Sequence, residues 1–500
     1  MNEENNDRFY DLDGRRWSEN PTFRATPRPY ISEGLTSVCD NIINRKQCFK
    51  LFICEHISNK ILSETNKKGA EIFGINQWIT MDSIEFDAFL GLLVIFGALR
   101  IRKRAVDYIW NQNCAFRIPI CSMTMSKNRF KQIMRALHFE SRENILSEFH
   151  SQRNEANTEN ENVHFNNSTR SQNNENDERI NGRAENEQDR FHFDERNVNV
   201  GNDNVSLQEN QQPLEQQGQV NVVLKKDKLA PIRRVFELFN ENLRKPYKPS
   251  PNLTIDEQLM GFRGRVPFRM YIRGKPDKTG IENHFLVDSV NGYLLRMMTY
   301  LGKLNGKKPE KNLAKKIIDY LTQYLTANYN ITADNFFTSF ETARELFKRK
   351  ITFLGTLRQN KRCIAKFLKE TRNRKVFSTK FAFFEEVTTL SYCRRPNKLV
   401  YLLSTLHHEP ELLDNTIASE QAMSIYRGKD KSKLQNTSGE YVLRSTNNQK
   451  FEKIENDFIS KKRERKSKLP VMIEMYNKTK GGVDLLDKLL KEYSCRRCVR

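Results

Sequence analysis

The apolar positions of the chain first follow a helical period between about residues 80 and 140. Behind Asp82, a suitable helix N-cap, the residues up to Leu99 are apolar on most sides, which predicts a buried helix. A second helix is predicted at about 126–139. Its buried face consists of Phe130, Ile133, Met134 and Leu137. Residues 1–80 carry only a weak pattern, so we predict an N-terminal region there that is poorly ordered in part.

Beyond residue 230 the apolar residues first follow one more helical period and then alternate as in strands. A helical face at 232–243 ends at a proline-containing segment, because proline cannot continue a helix. Strands are then predicted at 253–259, 268–272, 285–290 and 293–300, with Asn291 and Gly292 as a two-residue hairpin signal between the last two. Helices and strands alternate at 313–327, 330–333, 339–350 and 351–357, and strands fill 377–406. This order predicts a mixed α/β sheet.

Two polar segments interrupt these patterns. Residues 146–221 are rich in Asn, Gln and Glu without apolar periodicity, so they bury too little surface to offset the entropy of ordering, and we predict a disordered insertion. Residues 410–468 are polar and loop-like, with a basic cluster at 461–468 that is typical of a nuclear localisation signal or of an ordinary basic loop. A final helix is predicted from Gly482 to Leu490.

These changes in pattern divide the chain into seven segments. They are an N-terminal region at 1–80, a helical domain in two parts at 81–145 and 222–250, the disordered insertion at 146–221, an α/β core at 251–364, a β-rich insertion with a polar loop at 365–470, and a last helical segment at 471–500.

The charge of the chain narrows its possible partners. The formal net charge is +22, from 84 Lys and Arg against 62 Asp and Glu, and this favours a polyanionic partner, most often nucleic acid. With 21 Gly and 9 Cys, a collagen-like or disulfide-framework protein is excluded. The longest apolar run, 89–99, is about half of the roughly 20 residues that a membrane-spanning helix needs. We expect an intracellular protein without a membrane partner.

Four acidic residues stand out by their place in the predicted elements. Asp256 lies on the first core strand, and Asp334 follows the short strand at 330–333. Asp484 and Asp487 share one face of the last helix. Converging carboxylates repel one another unless a cation lies between them, and Mg²⁺ binds through one or two carboxylates and substrate phosphate oxygens. The alternative is that each is a capping or surface aspartate.

The densest basic segment follows Asp256. Its cations, interleaved with Phe, Tyr and Gly, are Arg263, Arg265, Arg269, Arg273, Lys275 and Lys278. A second cluster contains Arg358, Lys361 and Arg362. Because arginines among glycines and aromatic residues suit phosphate contact and base stacking, we predict a DNA-binding surface. A solvated edge strand is the alternative.

Four segments in order resemble the core of piggyBac-family transposases. They are 253–265 continuing through 275–280, then 331–339, 355–362 and 476–487. The spacing from Asp256 to Asp334 is also that of the family. The resemblance spans about residues 81–493 and is interrupted by the two polar segments.

The resemblance implies a DDE-type transposase with an RNase H-like mixed-sheet core. Asp256, Asp334 and Asp484 correspond to its catalytic, metal-binding carboxylates, and Asp487 to a further aspartate near the metal site. The implied cofactor is a pair of Mg²⁺ ions, with Mn²⁺ as a substitute. The implied reaction is hydrolysis at transposon ends, strand transfer through hairpin ends and joining at TTAA targets. The resemblance also implies a helical DNA-binding and dimerisation domain and a homodimer on double-stranded DNA. We further expect a nuclear location and no small-molecule substrate.

The sequence departs from the family pattern in two places. The 146–221 segment is longer and richer in Asn, and family members continue beyond the position of Arg500 into further core helices and a Cys/His-rich zinc domain. We therefore expect a C-terminally truncated transposase. Two alternatives stay open, a domesticated or decayed DNA-binding relative without transposition activity and a basic nuclear scaffold protein. The scaffold alternative predicts that the three aspartates lie far apart.

Overall fold

The computed structural model describes residues 7–21, 26–27, 29–101, 104–115, 117–141, 143–147, 227–302, 311–413 and 469–495. The chain divides into two compact units, one formed by Met1–Phe139 with Arg233–Arg500 and one formed by 140–232. Apart from residues 146 and 147, the predicted disordered insertion lies outside the described residues, as does the basic cluster at 461–468. None of the helices in the described ranges is long and apolar enough to cross a membrane.

Helices dominate the first part of the larger unit. Their bounds are α1 Arg45–Phe52, α2 Glu55–Phe73, α3 Ser83–Ala98, α4 Val106–Trp110, α5 Pro119–Thr124 and α6 Lys127–Ala136. Asp82 caps α3 by accepting a hydrogen bond from the backbone amide of Glu85. Phe89 and Phe96 of α3 pack against Phe130 of α6, with ring centroids 5.4 and 5.7 Å apart. The predicted helices at 82–99 and 126–139 are therefore present, although α6 ends three residues early.

Residues 1–80 include two helices, α1 and α2, that the apolar pattern does not predict. A capping box between Asn44 and Gln47 starts α1. The buried side of α2 alternates apolar with polar or small residues, namely Ile57, Ser58, Ile61, Glu64, Thr65 and Gly69. This mixture hides the helical period, so the apolar pattern alone does not reveal a helix of 19 residues.

A nine-stranded mixed sheet forms the second part of this unit. Its strands are β3 Asn252–Gly261, β4 Met270–Tyr271, β5 Thr279–Asp288, β6 Leu294–Thr299, β7 Asn330–Ala333, β8 Thr352–Leu357, β9 Thr379–Phe384, β10 Val387–Arg395 and β11 Lys398–Ser404, while β1 Gly34–Leu35 and β2 Tyr247–Lys248 pair separately. The order is β4-β5-β3-β7-β8-β11-β10-β9, and β6 pairs with β5. The pairs β3–β7 and β7–β8 are parallel and the others are antiparallel.

Six further helices accompany the sheet in the described residues. They are α7 Arg233–Arg244, α8 Leu313–Thr322, α9 Phe340–Lys348, α10 Lys366–Lys369, α11 Val471–Thr479 and α12 Gly482–Glu492. The largest core includes Ile255 of β3 with Ile318 of α8 and Phe340 of α9. On β5, Phe285 and Val287 pack instead against α12. Because side chains alternate along a strand, Asp256 points away from the face that Ile255 uses. The mixed α/β class with a helical N-terminal region is confirmed.

Several predicted boundaries are corrected by the structure. β5 begins at Thr279 rather than 285, because the polar Glu282 and His284 on its early positions break the apolar alternation. The β5–β6 hairpin is present, but its turn has five residues instead of two, with Gly292 at a φ of 71°. α8 ends at Thr322, five residues before the predicted end.

The predicted β-rich insertion continues the main sheet. Its last strand, β11, pairs antiparallel with β8 through Ser404 and Leu354. β10 and β9 follow outward from β11. The N-terminal segment also joins this region, because Ser18 bridges to Phe383 of β9 and Trp17 is buried in the main core. The indole nitrogen of Trp17 donates to Asp11 at 3.0 Å.

Three buried threonines attach the α11–α12 turn to the sheet. Thr254 of β3 donates its hydroxyl to the backbone carbonyl of Thr479, and Thr332 of β7 donates to the Thr479 hydroxyl at 2.8 Å. That hydroxyl in turn donates to Met475 within α11. A Cβ on Gly482 would lie only 2.8 Å from side-chain atoms of Thr254 and Val287, so α12 starts in direct contact with the strands.

This close contact predicts a difference between two neighbouring glycines. Gly482→Ala should lower the free energy of unfolding by about 1–3 kcal/mol, because the added methyl overpacks the helix against β3 and β5. Gly481→Ala is the matched control, since a Cβ there meets no atom within 4 Å. Urea denaturation of both variants checks the prediction. Equal stability of the two variants would contradict the proposed packing.

Candidate active site

The sheet register brings two of the predicted carboxylates together. β3 and β7 are parallel neighbours, and Ile255 pairs with Ala333. The next position on each chain is an aspartate, Asp256 on β3 and Asp334 directly after β7. Neighbouring strands lie roughly 4.8 Å apart, so the two carboxylates are side by side.

A notch opens in the sheet at this position. β7 ends at Ala333, whereas β3 continues to Gly261 on one side. On the other side β8 continues two residues past Gly355, the partner of Ala333, and leads into Arg358. The carboxyl end of β7, which Asp334 follows, therefore lies between two longer strands. Ligands of open α/β sheets bind in such crevices at strand carboxyl ends.

The loop after β7 holds Asp334 in place. The Asp334 carboxylate accepts a hydrogen bond from the backbone amide of Phe336 at 2.8 Å, and the Thr338 hydroxyl donates to the Asp334 carbonyl at 2.6 Å. The guanidinium Nε of Arg358 donates to the side-chain oxygen of Asn335 at 2.7 Å. This bond places one cation of the second basic cluster beside the notch.

Burial and neighbouring negative charge disfavour ionisation of both carboxylates. The pKa of Asp256 is raised well above its usual range by burial, by Glu257 and by the charge of Asp334. Burial also raises the pKa of Asp334, with a further contribution from Glu257. A group that stabilises the two ionised carboxylates together would have to be a cation.

Glu257 is the ionised neighbour of this pair. Although burial opposes ionisation, its hydrogen bond with Asp256 and the charge of Lys275 lower the pKa of Glu257. The Lys275 ammonium lies 2.8 Å from the Glu257 carboxylate and also donates to the Glu257 carbonyl at 3.2 Å. Lys275, predicted to contact DNA, thus has an internal partner beside the carboxylate pair.

A buried histidine lies on the neighbouring strand. His284 of β5 pairs in register with Glu257 and is 1% exposed. Neither of its ring nitrogens has a hydrogen-bond partner among the described atoms, and Glu282 is 3.6 Å from Nε2. Burial lowers the pKa of His284 to about 4 and, together with the Glu257 charge, raises the pKa of Glu282 to about 7.

The other two predicted carboxylates lie on α12. Asp487 accepts a hydrogen bond from Gln258 of β3 at 2.8 Å and forms an ion pair with Lys491. Asp484 is exposed in the first turn of the helix. Within the described residues, no three His, Cys, Asp or Glu side chains are grouped so that they could hold a metal ion. The four aspartates therefore do not form a ready-made metal centre, because Asp487 is bound to neighbours and Asp484 faces solvent.

The donor set of Asp256 and Asp334 nevertheless fits Mg²⁺. This ion binds proteins through one or two carboxylates and takes its remaining ligands from water and substrate phosphate. Two adjacent carboxylates with raised pKa values satisfy the protein part of that requirement. A three-carboxylate cage is not needed when the substrate itself supplies oxygen ligands.

Sequence reasoning missed Tyr476, a residue of α11. Burial raises its pKa, and the charges of Asp334 and Asp256 raise it further, while a hydrogen bond with Thr356 opposes the shift. Tyr476 therefore lies within electrostatic reach of the carboxylate pair. It stands in the 476–487 segment, whose apolar pattern draws attention to α12 and not to the preceding helix.

Most of the predicted DNA-binding cations are exposed around the loop between β3 and β5. Those exposed there are Arg263, Arg265, Arg269, Arg273 and Lys278. Arg269 donates to the backbone carbonyls of Arg263 and Gly264, at 3.3 and 3.1 Å. In the second cluster Lys361 is half-buried, and Arg362 is bound to Asp13 at 2.7 Å and to the carbonyl of Leu12.

The fold and site define a mixed α/β protein with paired carboxylates at the carboxyl ends of parallel strands, suited to a metal ion and a phosphate-bearing substrate. A DDE-transposase family model described as Transposase IS4 matches residues 44–169 and 187–500. The chain therefore belongs to this family of transposases.

A solved structure has the same fold. It is the cryo-EM structure of a piggyBac transposase synaptic complex with hairpin DNA. The match has a TM-score of 0.62 at 24% sequence identity and covers 94% of this chain and 73% of that one. The expected likeness to piggyBac transposases is thus confirmed at the level of the fold.

The environment of His284 predicts an unusual titration. Because burial disfavours the imidazolium, the His284 ring should titrate with a midpoint near pH 4. Its protonation favours the unfolded chain, so this residue's contribution to stability is present above about pH 6.5 and is lost as the pH falls towards 4. NMR of ¹³C-labelled histidine, assigned with His284→Gln, measures the midpoint. A midpoint at or above pH 6 would contradict the buried, neutral assignment.

Proposed function

We propose that this protein is a DNA transposase that cleaves and joins DNA strands by phosphoryl transfer at Asp256 and Asp334. The observation that carries the proposal is the register of β3 and β7, which sets the two carboxylates side by side at the carboxyl edge of the sheet. Family membership supplies the reaction class, since the matching family is one of transposases.

Mg²⁺, with Mn²⁺ as a substitute, is the metal that we propose for this site. Asp256 and Asp334 would hold it, and Asp484 and Asp487 are the further carboxylates that the family resemblance assigns to the metal site. The metal supplies stabilisation of charge on the attacking and leaving oxygens. Support comes from the raised pKa values of Asp256 and Asp334, because a nearby cation would relieve the repulsion between two ionised carboxylates.

The proposed reaction has two kinds of step. In the first, the oxygen of a water molecule attacks a phosphodiester, the bond from phosphorus to the 3′ oxygen breaks and a 3′-hydroxyl is released. In the second, a 3′-hydroxyl attacks another phosphodiester, so that one phosphorus–oxygen bond forms as another breaks. Hairpin ends and TTAA targets are the versions of this chemistry that the family resemblance implies. The solved relative was itself captured with hairpin DNA.

Double-stranded DNA is the proposed substrate, and the loop between β3 and β5 is the proposed contact. Five exposed cations of that loop, beginning with Arg263, follow Asp256 directly in sequence. Arg358 adds a cation beside the notch. Phosphate contacts of this kind orient a duplex without reading its sequence. The homodimer and the nuclear location are further parts of the proposal, supported by the family resemblance and the basic cluster at 461–468.

The second candidate function is DNA binding without catalysis, as in a domesticated transposase relative. One observation favours it, namely that Asp484 is exposed and the described residues contain no group of three metal-ligating side chains. The two candidates differ in whether the carboxylate pair supports metal-dependent cleavage.

Replacement of Asp256 separates these candidates. Asp256→Asn should reduce Mg²⁺-dependent nicking of plasmid DNA by at least about 100-fold, since several kcal/mol of charge stabilisation is lost and each 1.36 kcal/mol is tenfold in rate. Gel assays of nicking with and without Mg²⁺ measure the effect. Asp319→Asn, at an exposed α8 carboxylate paired with Lys315, is the matched control and should nick like wild type.

Nicking by Asp256→Asn at the wild-type rate would contradict a catalytic role for the carboxylate pair. DNA binding without nicking by the wild-type protein would favour the second candidate. Melting of Asp256→Asn at the wild-type temperature would show that its loss of nicking does not come from misfolding.

The basic loop predicts a change in the salt dependence of DNA binding. Combined replacement of Arg263, Arg265 and Arg273 by Ala should make the dependence of log affinity on log salt shallower. The magnitude of the negative slope should fall by about one for each lost phosphate contact. The loss should be similar for unrelated duplex sequences. Fluorescence anisotropy at several KCl concentrations measures the slope. Lys398→Ala, an exposed cation at the start of β11, should leave it unchanged, and an unchanged slope in the triple variant would refute the DNA contact.

A further inference from the structure

A buried arginine without a charged partner lies on the sheet face opposite to Asp256. Arg296 of β6 pairs in register with Leu286, and Leu286 pairs with Ile255, so these three side chains share one face. Arg296 is 7% exposed, and its buried Nε has no hydrogen-bond partner among the described atoms. In the part of the chain that the structure describes, no carboxylate forms an ion pair with it. A buried charge is costly unless it is paired, so Arg296 needs an explanation.

Neutral groups hold the Arg296 side chain in place. Its guanidinium carbon lies 4.0 Å from the ring centroid of Tyr320 and 4.2 Å from that of Tyr324. With its amide oxygen turned towards the arginine, Gln323 accepts hydrogen bonds from both terminal nitrogens, at 2.6 and 2.9 Å. Cation–π contacts and a neutral amide fix the guanidinium, but they leave its positive charge uncompensated.

A second arginine shares the Tyr324 ring. The guanidinium carbon of Arg244, the last residue of α7, lies 3.7 Å from the Tyr324 centroid. The Arg244 side chain is half-buried, and within the described ranges it has neither a hydrogen bond nor an ion pair. The C-terminal end of a helix favours a cation, which accounts for one arginine but not for two on the same ring. Like charges repel, and an anion in contact with both arginines would relieve that repulsion.

Both arginines line a cavity of about 420 Å³. Its cations are Arg244, Lys248 and Arg296, and its lining contains no Asp or Glu among the described residues. The opposite wall is apolar and includes Leu286, Leu295, Leu321 and Leu325. Sites for small molecules have volumes of roughly 300–1,000 Å³ and combine apolar walls with a few polar groups. The cavity therefore suits a small ligand with an anionic group and an apolar body.

A smaller neighbouring cavity is less suitable for an anion. It measures about 260 Å³ and is also lined by Arg244 and Arg296, but Glu237 and Glu241 contribute to its wall. Glu237 is paired with Arg233 at 3.3 Å, and Glu241 is exposed. Because these carboxylates repel an anion, the leucine-lined cavity is the favourable side of the two arginines.

We propose that the leucine-lined cavity is a binding site for a small organic anion. A carboxylate or a phosphate monoester would be held by Arg244 and by the Nε of Arg296, since guanidinium donors match the oxygens of both groups. The apolar body of the ligand packs against the leucines. The site is separate from the carboxylate pair of Asp256 and Asp334, and it does not depend on DNA cleavage.

Ligand-detected NMR with simple probes tests the site on the full chain. The anionic probes are phenyl phosphate and 3-phenylpropionate. The matched controls are 3-phenylpropanol, which lacks the charge, and inorganic phosphate, which lacks the apolar body. Saturation-transfer titrations followed by ¹H, or by ³¹P for inorganic phosphate, compare the affinities. Each control should bind at least about tenfold more weakly than the corresponding anion, because it loses either the charged contacts or the apolar ones.

Three arginine variants locate the binding. Arg244→Gln, at a half-buried position, should weaken binding of both anions by about tenfold or more. Arg296→Met, which keeps the length of the side chain without its charge, should do the same. Arg234→Gln removes an exposed cation of the same helix and should bind like wild type. Thermal melting checks that each variant keeps the fold, and Arg244→Gln carries the test if Arg296→Met does not.

The outcomes decide both the site and its ligand class. Tighter binding of phenyl phosphate supports a phosphate monoester, and tighter binding of 3-phenylpropionate supports a carboxylate. Equal binding of 3-phenylpropanol and 3-phenylpropionate would overturn the proposal, as would unchanged affinity in Arg244→Gln. Release of the bound anion by a short DNA duplex would also overturn it and would assign the two arginines to a DNA contact.

Discussion

The buried contact among Thr254, Thr332 and Thr479 is the interaction on which the arrangement of the site depends. One threonine comes from β3, one from β7 and one from the end of α11, and all are at most 5% exposed. Their hydroxyls bond to one another and to nearby carbonyls, so this buried contact is hydrogen-bonded throughout. It fixes α11 and α12 over the two strands that carry Asp256 and Asp334.

The carboxyl edge of the sheet around β3 and β7 concentrates negative charge that the fold does not neutralise by itself. Asp256, Asp334 and Glu257 are near enough to change one another's pKa, and Lys275 compensates mainly Glu257. A carboxylate pair without a neutralising cation lowers the stability of the fold. Proteins retain such pairs where function requires them. A cation shared with a phosphate-bearing substrate explains this cost better than a structural role does.

The sequence predicted the parts of the fold whose physical signals are local. A short strand followed by Asp334 is sufficient to predict a carboxylate at a strand end, and the parallel partner of that strand carries Asp256. Contacts between residues that are distant in the sequence cannot be predicted from local patterns. The ion pair of Lys275 with Glu257 joins positions 18 residues apart across a loop, so the sequence alone predicts Lys275 as one more DNA-binding cation. The polar residues on the buried side of α2 similarly concealed a helix.

Metal binding by the protein with and without DNA tests the central claim most directly. In electron paramagnetic resonance titrations, Mn²⁺ should bind weakly to the protein alone, because the part of the chain that the structure describes groups no three metal-ligating side chains around Asp256 and Asp334. Addition of DNA should tighten binding and introduce phosphorus coupling to the bound Mn²⁺, and Asp334→Asn should remove both effects. Tight Mn²⁺ binding that is indifferent to DNA, or binding that survives Asp334→Asn, would contradict a site completed by the substrate phosphate.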